Sequence, residues 1–102
     1  MMDGVATLIS ETYEQDEIGQ MIPSETPSDV YVEICSITRS EWAASGRDGL
    51  NPAIMLRTER VNYSGERIVE LDGVRYGVYR TYAPPDSDKI ELYLEEKAGV
   101  TG

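Results

Sequence analysis

Residues 63–97, YSGERIVELDGVRYGVYRTYAPPDSDKIELYLEEK, decide the fold of this chain because they contain a hairpin whose register can be predicted. Asp72-Gly73 is a dipeptide favoured in a two-residue type I′ turn, in which both central residues need a positive φ. The turn predicts the cross-strand pairs Leu71 with Val74, Glu70 with Arg75, Val69 with Tyr76 and Arg67 with Val78. Side chains alternate between the two faces of a strand. We therefore expect one apolar face to be core, formed by Val69, Leu71, Val74, Tyr76 and Val78.

Length and composition indicate one small domain. The chain has 102 residues, with seven Tyr, one Trp and no Phe, and a chain of this length is expected to form a single domain, residues 1–102. No apolar run approaches the roughly 20 residues of a membrane-spanning helix, and MMDGVATLIS at the N-terminus lacks the basic region of a secretory signal. Cys35, in VEICSI, is expected to act as a small hydrophobic strand residue. These features predict synthesis and residence in the cytosol.

Charge is distributed unevenly along this acidic chain, whose formal net charge is −10 at pH 7. Residues 1–38 contain eight acidic side chains and no basic one, whereas residues 39–82 contain all seven Arg. A surface this acidic repels nucleic acid phosphates, so we do not expect sequence-independent DNA binding. Two interpretations stay open. The charge either keeps the protein in solution, or forms an acidic wall that DNA passes without binding or that complements a basic partner.

The remaining segments predict further strands separated by loops. Alternating or β-branched segments predict strands at residues 5–13, 30–38, 53–63 and 89–95, beside the hairpin 66–82. The polar segment 14–28 is predicted to be a long loop with an irregular or edge part, because its two prolines do not fit a central strand. Residues 83–88 are a second proline loop, and residues 98–102 a frayed tail. The predicted fold class is mainly β, a small antiparallel barrel or sandwich of about five to six strands with one short helix.

The short helix is predicted at about residues 40–46, SEWAASG. Ser40 is a good N-cap, Glu41 suits the positive end of a helix, and Gly46 favours its termination. So short a helix is not stable alone, so we expect a side chain to fix it to the sheet. Trp42 has two interpretations, which are a core anchor for this helix and an exposed aromatic residue at an interface, where Trp is enriched.

The residue types that common catalytic and metal sites need are missing from the chain. It has no His and one Cys, which excludes a Ser-His-Asp triad, a His-activated Cys and an ordinary zinc site. No segment has a GxxxxGKS/T or GxGxxG phosphate-binding pattern. Asp86 and Asp88 alternate in PPDSDK, but the Gly and distal Glu of a calcium loop do not follow. We therefore expect no enzymatic activity, no cofactor and no metal.

Three segments, taken together and in order, resemble one protein family. They are SITRSEWAASGRDGLNPAIMLR at 36–57, NYSGERIVELDGVRYGVYRTY at 62–82 and DKIELYLEEKAG at 88–99. The first has a Ser-Glu-aromatic helix start and an X-Pro strand entry, the second a Tyr-x-Gly-Glu turn before the Asp-Gly hairpin, and the third a closing strand. This combination is similar to the head-closure (stopper) proteins of the head–tail connector in long-tailed phages and prophages.

The resemblance implies a virion structural protein with a β-rich fold. Proteins of this family assemble as a ring beneath the portal and adaptor, close the DNA-filled head and dock the tail. The implied partners are the adaptor or portal ring, tail proteins and further copies of the chain. Double-stranded DNA would pass through the lumen without specific binding, and no membrane is involved. The implied location is the head–tail interface of the virion, after synthesis in the cytoplasm of the bacterial host.

The same resemblance implies a gate formed by a loop that projects into the lumen. Residues 14–28 are the first candidate because of their length, and residues 83–88 are the second. The candidate interface residues are Trp42, Glu17, Met21, Pro84 and Pro85. Two alternatives stay open, which are another tail-completion or adaptor ring protein of a phage and an acidic binding module that mimics DNA.

Overall fold

A computed structural model describes residues 2–47 and 52–96 as a closed, six-stranded antiparallel barrel with one short helix. The elements are β1 Met2–Gln15, β2 Met21–Ser36, α1 Arg39–Arg47, β3 Pro52–Glu59, β4 Ile68–Leu71, β5 Val74–Tyr82 and β6 Lys89–Glu96. The strands follow the order β1-β2-β3-β6-β5-β4, and β4 pairs back with β1. The predicted fold class is confirmed. The predicted tail at 98–102 lies outside the described residues.

The β4–β5 hairpin has the register that its turn predicts. Asp72 and Gly73 have φ values of 53° and 80°, which a type I′ turn requires. The observed pairs are Leu71 with Val74, Glu70 with Arg75 and Val69 with Tyr76, and the Val78 N–H donates to the Arg67 carbonyl at 2.9 Å. The expectation that Val74 is core is wrong. It follows the turn at the end of the barrel, and 40% of it is exposed.

Aliphatic side chains from five strands fill the barrel. The buried cluster consists of Ala6, Leu8, Val30, Val32, Leu56, Val69, Leu71, Leu92 and Leu94. Tyr76 and Val78 of β5 pack against it, as do Ile34 and Ile90. The alternation predicted for β2 and β6 is therefore confirmed. The one buried hydroxyl of β3, on Thr58, donates to the Tyr31 carbonyl at 2.8 Å, so it is not left without a partner.

The segment 14–28 is not a long loop, and this prediction is wrong. β1 and β2 pair continuously from Met2–Ile34 to Gln15–Met21, so only residues 16–20 form a turn. β1 pairs with β4 only at residues 7–9, and β2 pairs with β3 only at residues 33–36. Residues 10–27 therefore form a two-stranded arm outside the barrel, which we call the ribbon. At about 3.4 Å per residue, positions 10–15 span about 20 Å.

A change from apolar to hydroxyl side chains marks the point where the ribbon leaves the barrel. On the inward face of β1, the buried Ala6 and Leu8 are followed by Ser10 and Thr12. On β2 the corresponding positions before Val30 are Ser24, Thr26 and Ser28. Burial of apolar surface is the main force that closes a wall over a core. The small hydroxyl side chains offer little apolar surface to bury, so the two strands continue without a further strand paired to either of them.

The two prolines of the ribbon are compatible with a strand because their nitrogens face its open edge. The Asp16 N–H donates to the Gln20 carbonyl at 2.9 Å, and hydrogen-bonded and non-hydrogen-bonded pairs alternate along an antiparallel ladder. Counting from this pair, the pairs of Pro23 with Tyr13 and of Pro27 with Ile9 are non-hydrogen-bonded. The missing N–H groups are therefore not needed by β1, which is why the sequence-based expectation of a loop failed here.

Helix α1 begins with Thr38 as its cap. The Thr38 Oγ1 accepts the Glu41 N–H at 3.1 Å, and the Thr38 carbonyl accepts the Trp42 N–H at 2.9 Å. The prediction of Ser40 as N-cap is therefore wrong. The helix also includes Gly46, which was predicted to end it.

Glu41, rather than Trp42, fixes the helix to the barrel. Its side chain is only 12% exposed and accepts hydrogen bonds from the Tyr79 hydroxyl at 2.7 Å, from Arg80 Nε at 3.1 Å and from Arg80 Nη2. The β5–β6 register shifts between Val78 and Arg80, and such a bulge turns two adjacent side chains to one face. Tyr79 and Arg80 can therefore both reach one carboxylate. Trp42 is 59% exposed, so its interpretation as a core anchor is wrong.

The core predicts the effect of one truncation. Leu56 is fully buried, so Leu56→Ala is expected to lower the free energy of unfolding by about 2–5 kcal/mol. Val61→Ala is the control, because Val61 is 90% exposed, and it is expected to change stability by less than about 0.5 kcal/mol. Urea unfolding measures both values. Equal values for the two variants would contradict the assignment of Leu56 to the core.

The helix anchor predicts a second effect. Glu41→Ala removes the carboxylate that Tyr79 and Arg80 share, so we expect a loss of about 1–3 kcal/mol and faster amide exchange in α1. Glu17→Ala, at the exposed ribbon tip, is the control and is expected to leave both unchanged. Hydrogen exchange measured by mass spectrometry separates a local effect on the helix from global destabilisation. Unchanged exchange in α1 of Glu41→Ala would show that another contact holds the helix.

Candidate interaction surfaces

The described part of the chain offers projecting segments and clefts. Within residues 2–47 and 52–96, no three His, Cys, Asp or Glu side chains are grouped so that they could hold a metal ion. The short α1, the only α-helix in those ranges, is not long and apolar enough to cross a membrane. Cys35 is a free, half-buried thiol on the outer face of β2, opposite Met55 of β3. The expectation that the chain is not an enzyme stays a prediction.

The ribbon ends in a structured turn that carries exposed apolar side chains. The Asp16 carboxylate accepts the backbone N–H groups of Ile18 at 3.0 Å and of Gln20 at 2.8 Å, and Gly19 has a φ of 85°. These contacts fix the turn while its apolar side chains point to solvent. Ile18 is 78% exposed, and Met21, Ile22 and Tyr13 are also exposed. Such a group on a projecting arm is typical of a contact surface.

One ion pair ties the ribbon to the barrel wall. The two terminal nitrogens of Arg75 on β5 donate to the two carboxylate oxygens of Glu25 on β2, at 3.0 and 3.1 Å. Arg75 also lies 3.6 Å from the Glu70 carboxylate, its predicted cross-strand partner. The hydrogen bonds from Arg75 hold the pKa of the Glu25 carboxyl below its usual value. The pair is open to solvent, so it orients the ribbon more than it stabilises the fold.

A cleft lies beside helix α1 at the end of the barrel opposite the ribbon tip. Its volume is about 540 Å³. The apolar side chains that line it include Met2, Ile34, Ile37, Trp42, Pro52 and Ile54, together with Cys35. We call it the α1 cleft. Met2 and Trp42 at its mouth are largely exposed, so they are available to another molecule.

A compact pair of turns closes the barrel at the ribbon end. The Arg60 N–H donates to the Asp88 carbonyl at 2.7 Å, and the Arg60 guanidinium donates to the Pro84 carbonyl. These bonds replace the strand that was predicted to continue to residue 63, so β3 ends at Glu59 and a 3₁₀ turn, Arg60–Asn62, follows. Pro85 is exposed and Pro84 is half-buried. The 83–88 turn is therefore held rigidly against its neighbour.

An ionic network crosses the outer face of the barrel and reaches the helix. Arg57 lies 3.5 Å from Glu33 and 3.3 Å from Glu91, on the strands to either side, and its hydrogen bond to Glu91 raises the pKa of the Arg57 guanidinium. Glu91 also accepts the Tyr93 hydroxyl at 2.8 Å, and Arg80 stacks 3.7 Å from the centre of the Tyr93 ring. Burial is the main cause that raises the pKa of Tyr93, and the hydrogen bond to Glu91 raises it further. Arg80 then pairs with Glu41 of α1.

The predicted interface residues lie in three separate places. Glu17 and Met21 are at the ribbon tip, Pro84 and Pro85 are in the turn at the same end of the barrel, and Trp42 is at the opposite end. The sequence indicates an extended tip around residues 16–19, but the mostly polar composition of segment 14–28 hides the exposed apolar side chains of Ile18 and Ile22. An isolated Ile between Glu17 and Gly19 was the available signal.

The Arg75–Glu25 contact predicts a measurable titration. A carboxyl whose pKa is lowered on folding contributes its full stabilisation above the unfolded-state pKa, about 4.3, and loses it as the pH falls through the lower folded-state pKa. In Arg75→Gln, the pKa of Glu25 should rise to its usual value, as measured by carboxyl carbon NMR. Arg67→Gln removes an exposed Arg elsewhere and should leave it unchanged. An unaltered Glu25 titration in Arg75→Gln would show that the pair does not form in solution.

Comparison with known proteins adds no relative to this picture, because no protein-family model and no curated protein sequence matches the chain.

Proposed function

We propose that this protein is a structural component of a phage head–tail connector, of the head-closure type. The sequence motifs that resemble this family now have positions in the fold. The Tyr-x-Gly-Glu segment is the turn before β4, the Asp-Gly segment is the β4–β5 hairpin, and the last motif includes β6. These segments make up much of the barrel wall. The resemblance to the head-closure family therefore concerns the barrel as a whole rather than any single site on it.

The observation that carries this proposal is the ribbon, a long arm on a closed barrel. A protein that joins other proteins needs a rigid frame and segments that reach beyond it. Here the frame is closed by six strands, while residues 10–27 extend past it and end in exposed apolar side chains. The molecule is consequently 50 Å long but only 30 by 26 Å across.

The charge distribution fits a component that surrounds DNA without binding it. The ribbon belongs to the part of the chain that contains acidic side chains and no basic one, residues 1–38. Four of the Arg side chains on the rest of the barrel are engaged, Arg57, Arg75 and Arg80 in ion pairs and Arg60 with a carbonyl. Lys89 is paired with Glu59 as well. Because the chain has a net charge of −10 and most basic side chains of the described residues already have partners, DNA would pass such a ring with little attraction.

Two projecting segments are candidates for the part that faces the lumen. They are the ribbon tip and the 83–88 turn, and both lie at the same end of the barrel. The ribbon reaches farther, whereas the turn is held by Arg60 and cannot move far without breaking those hydrogen bonds. A ring in which either segment points inward needs no catalytic group to retain DNA.

The proposal predicts assembly that depends on a partner ring. We expect the free chain to be a monomer at low concentration in sedimentation experiments, and to form a ring when a connector adaptor ring is added, as detected by mass photometry.

Particles that lack the protein should have heads that lose their DNA, as seen by cryo-electron microscopy. No association with the adaptor would contradict the proposal. Retained DNA without a tail would instead favour a tail-completion role, and salt-sensitive capture of a basic protein without rings would favour DNA mimicry.

A further inference from the structure

We propose that the ribbon tip of one copy of this chain docks into the α1 cleft of a second copy. The proposal deepens the proposed function and rests on it for its biological setting, because it names the two surfaces through which neighbouring copies would join. It is carried by three properties of the described residues, which are the apolar side chains on both surfaces, the positions of the surfaces in the fold and their charges.

Both surfaces carry exposed apolar side chains in the single chain. The tip presents Ile18, Met21 and Ile22 to solvent. The α1 cleft, at about 540 Å³, has the size of pockets that enclose small organic groups, about 300–1,000 Å³. It is therefore large enough for aliphatic side chains of this kind. Contact between the two would remove the exposed Met2 and Trp42 from water together with the tip.

The positions of the two surfaces require a second copy. Met2 pairs with Ile34 at one end of the β1–β2 hairpin, and Gln15 pairs with Met21 at the other. The cleft lies at the first end and the tip at the second, so one chain cannot fill its own cleft. A contact between two different patches of identical molecules is heterologous, and it produces a ring when the rotation closes and a filament when it does not.

The charges beside the two surfaces are complementary. The tip carries two exposed acidic side chains, of which Glu14 pairs with Ile22 across the ribbon and Glu17 directly precedes Ile18. Arg39 lies three residues before Trp42 in α1, and residues at this spacing share a face of a helix. Arg39 is exposed and has no ion-pair partner among residues 2–47 and 52–96. Docking of the tip would bring an acidic side chain to this cation.

The contact is small, which agrees with assembly on a partner. A few side chains in one cleft bury less than the roughly 1,000 Å² that a stable interface needs, so free copies associate weakly. An adaptor ring that holds copies side by side raises their effective concentration and completes the contacts. The ribbon would then join neighbouring copies, and the 83–88 turn would be the segment left to face the lumen.

Disulfide trapping with the native thiol tests the proposal. Cys35 lines the α1 cleft, and no other Cys is present in the chain. In the full-length Ile18→Cys variant, mild oxidation at high protein concentration should join the introduced thiol to Cys35 of another chain. The expected product is a ladder of linked chains, and peptide mass spectrometry should identify the 18–35 bond. Tip and cleft lie at opposite ends of one molecule, so this bond can form only between copies.

Two further variants make the result decisive. Val61→Cys places a thiol at a more exposed position away from the tip and should give several-fold less bond to Cys35. Adding Trp42→Ala, an exposed substitution that should not unfold the chain, should lower the 18–35 yield several-fold. Equal yields from positions 18 and 61, or no effect of Trp42→Ala, would overturn the contact. If this contact is absent but the unaltered chain still forms rings on the adaptor, the proposed function stands. If the unaltered chain does not bind the adaptor, the proposed function itself is contradicted.

Discussion

Closure of the barrel depends on three residue pairs between β1 and β4, and much of the remaining structure follows from where this pairing stops. The pairs are Thr7 with Glu70, Leu8 with Val69 and Ile9 with Ile68. Leu8 and Val69 are fully buried, so the middle pair joins the two walls through the core. β4 is only four residues long, because the chain before it turns at Glu66, whose carboxylate accepts the Ser64 N–H at 2.6 Å. With no partner beyond Ile9, β1 continues into the ribbon with β2 alone. One short contact thus both closes the core and releases the arm.

A β-bulge at Tyr79 determines which side chains of β5 meet helix α1 on the outer surface. Without the extra residue, Tyr79 and Arg80 would point to opposite faces of β5. With it, both meet Glu41, and a nine-residue helix that is too short to be stable alone gains a fixed place on the barrel. The ionic network from Glu33 through Arg57, Glu91 and Tyr93 ends at the same Arg80. The position of Trp42, and hence the mouth of the α1 cleft, is set by these polar contacts rather than by burial of the indole ring.

The features that could be predicted from the sequence are those encoded by neighbouring residues. The Asp72-Gly73 turn specifies its own register, and the alternation in β2 and β6 specifies which residues face inward, so both predictions are confirmed. The ribbon could not be predicted from Pro23 and Pro27 by residue type alone. Whether a proline nitrogen faces a partner or an open edge depends on the count of residues from the turn. The Arg75–Glu25 pair joins positions 50 residues apart in the chain, and the Glu41 anchor depends on a bulge. Neither has a local pattern from which it could have been inferred.

The ribbon's prolines have a consequence for how the protein behaves when crowded. A long strand with a free edge normally offers a template on which strands of other molecules can add, and this is a common route to fibrous aggregates. On the ribbon part of β2 the nitrogens of Met21, Pro23, Glu25 and Pro27 face the open edge, and those of the two prolines, at alternate positions of this row, carry no hydrogen to donate. Exposed acidic side chains of the ribbon, such as Glu11 and Glu14, add repulsion between stacked copies. The β2 edge of the arm is therefore a poor template for sheet growth at the local concentrations of an assembling particle.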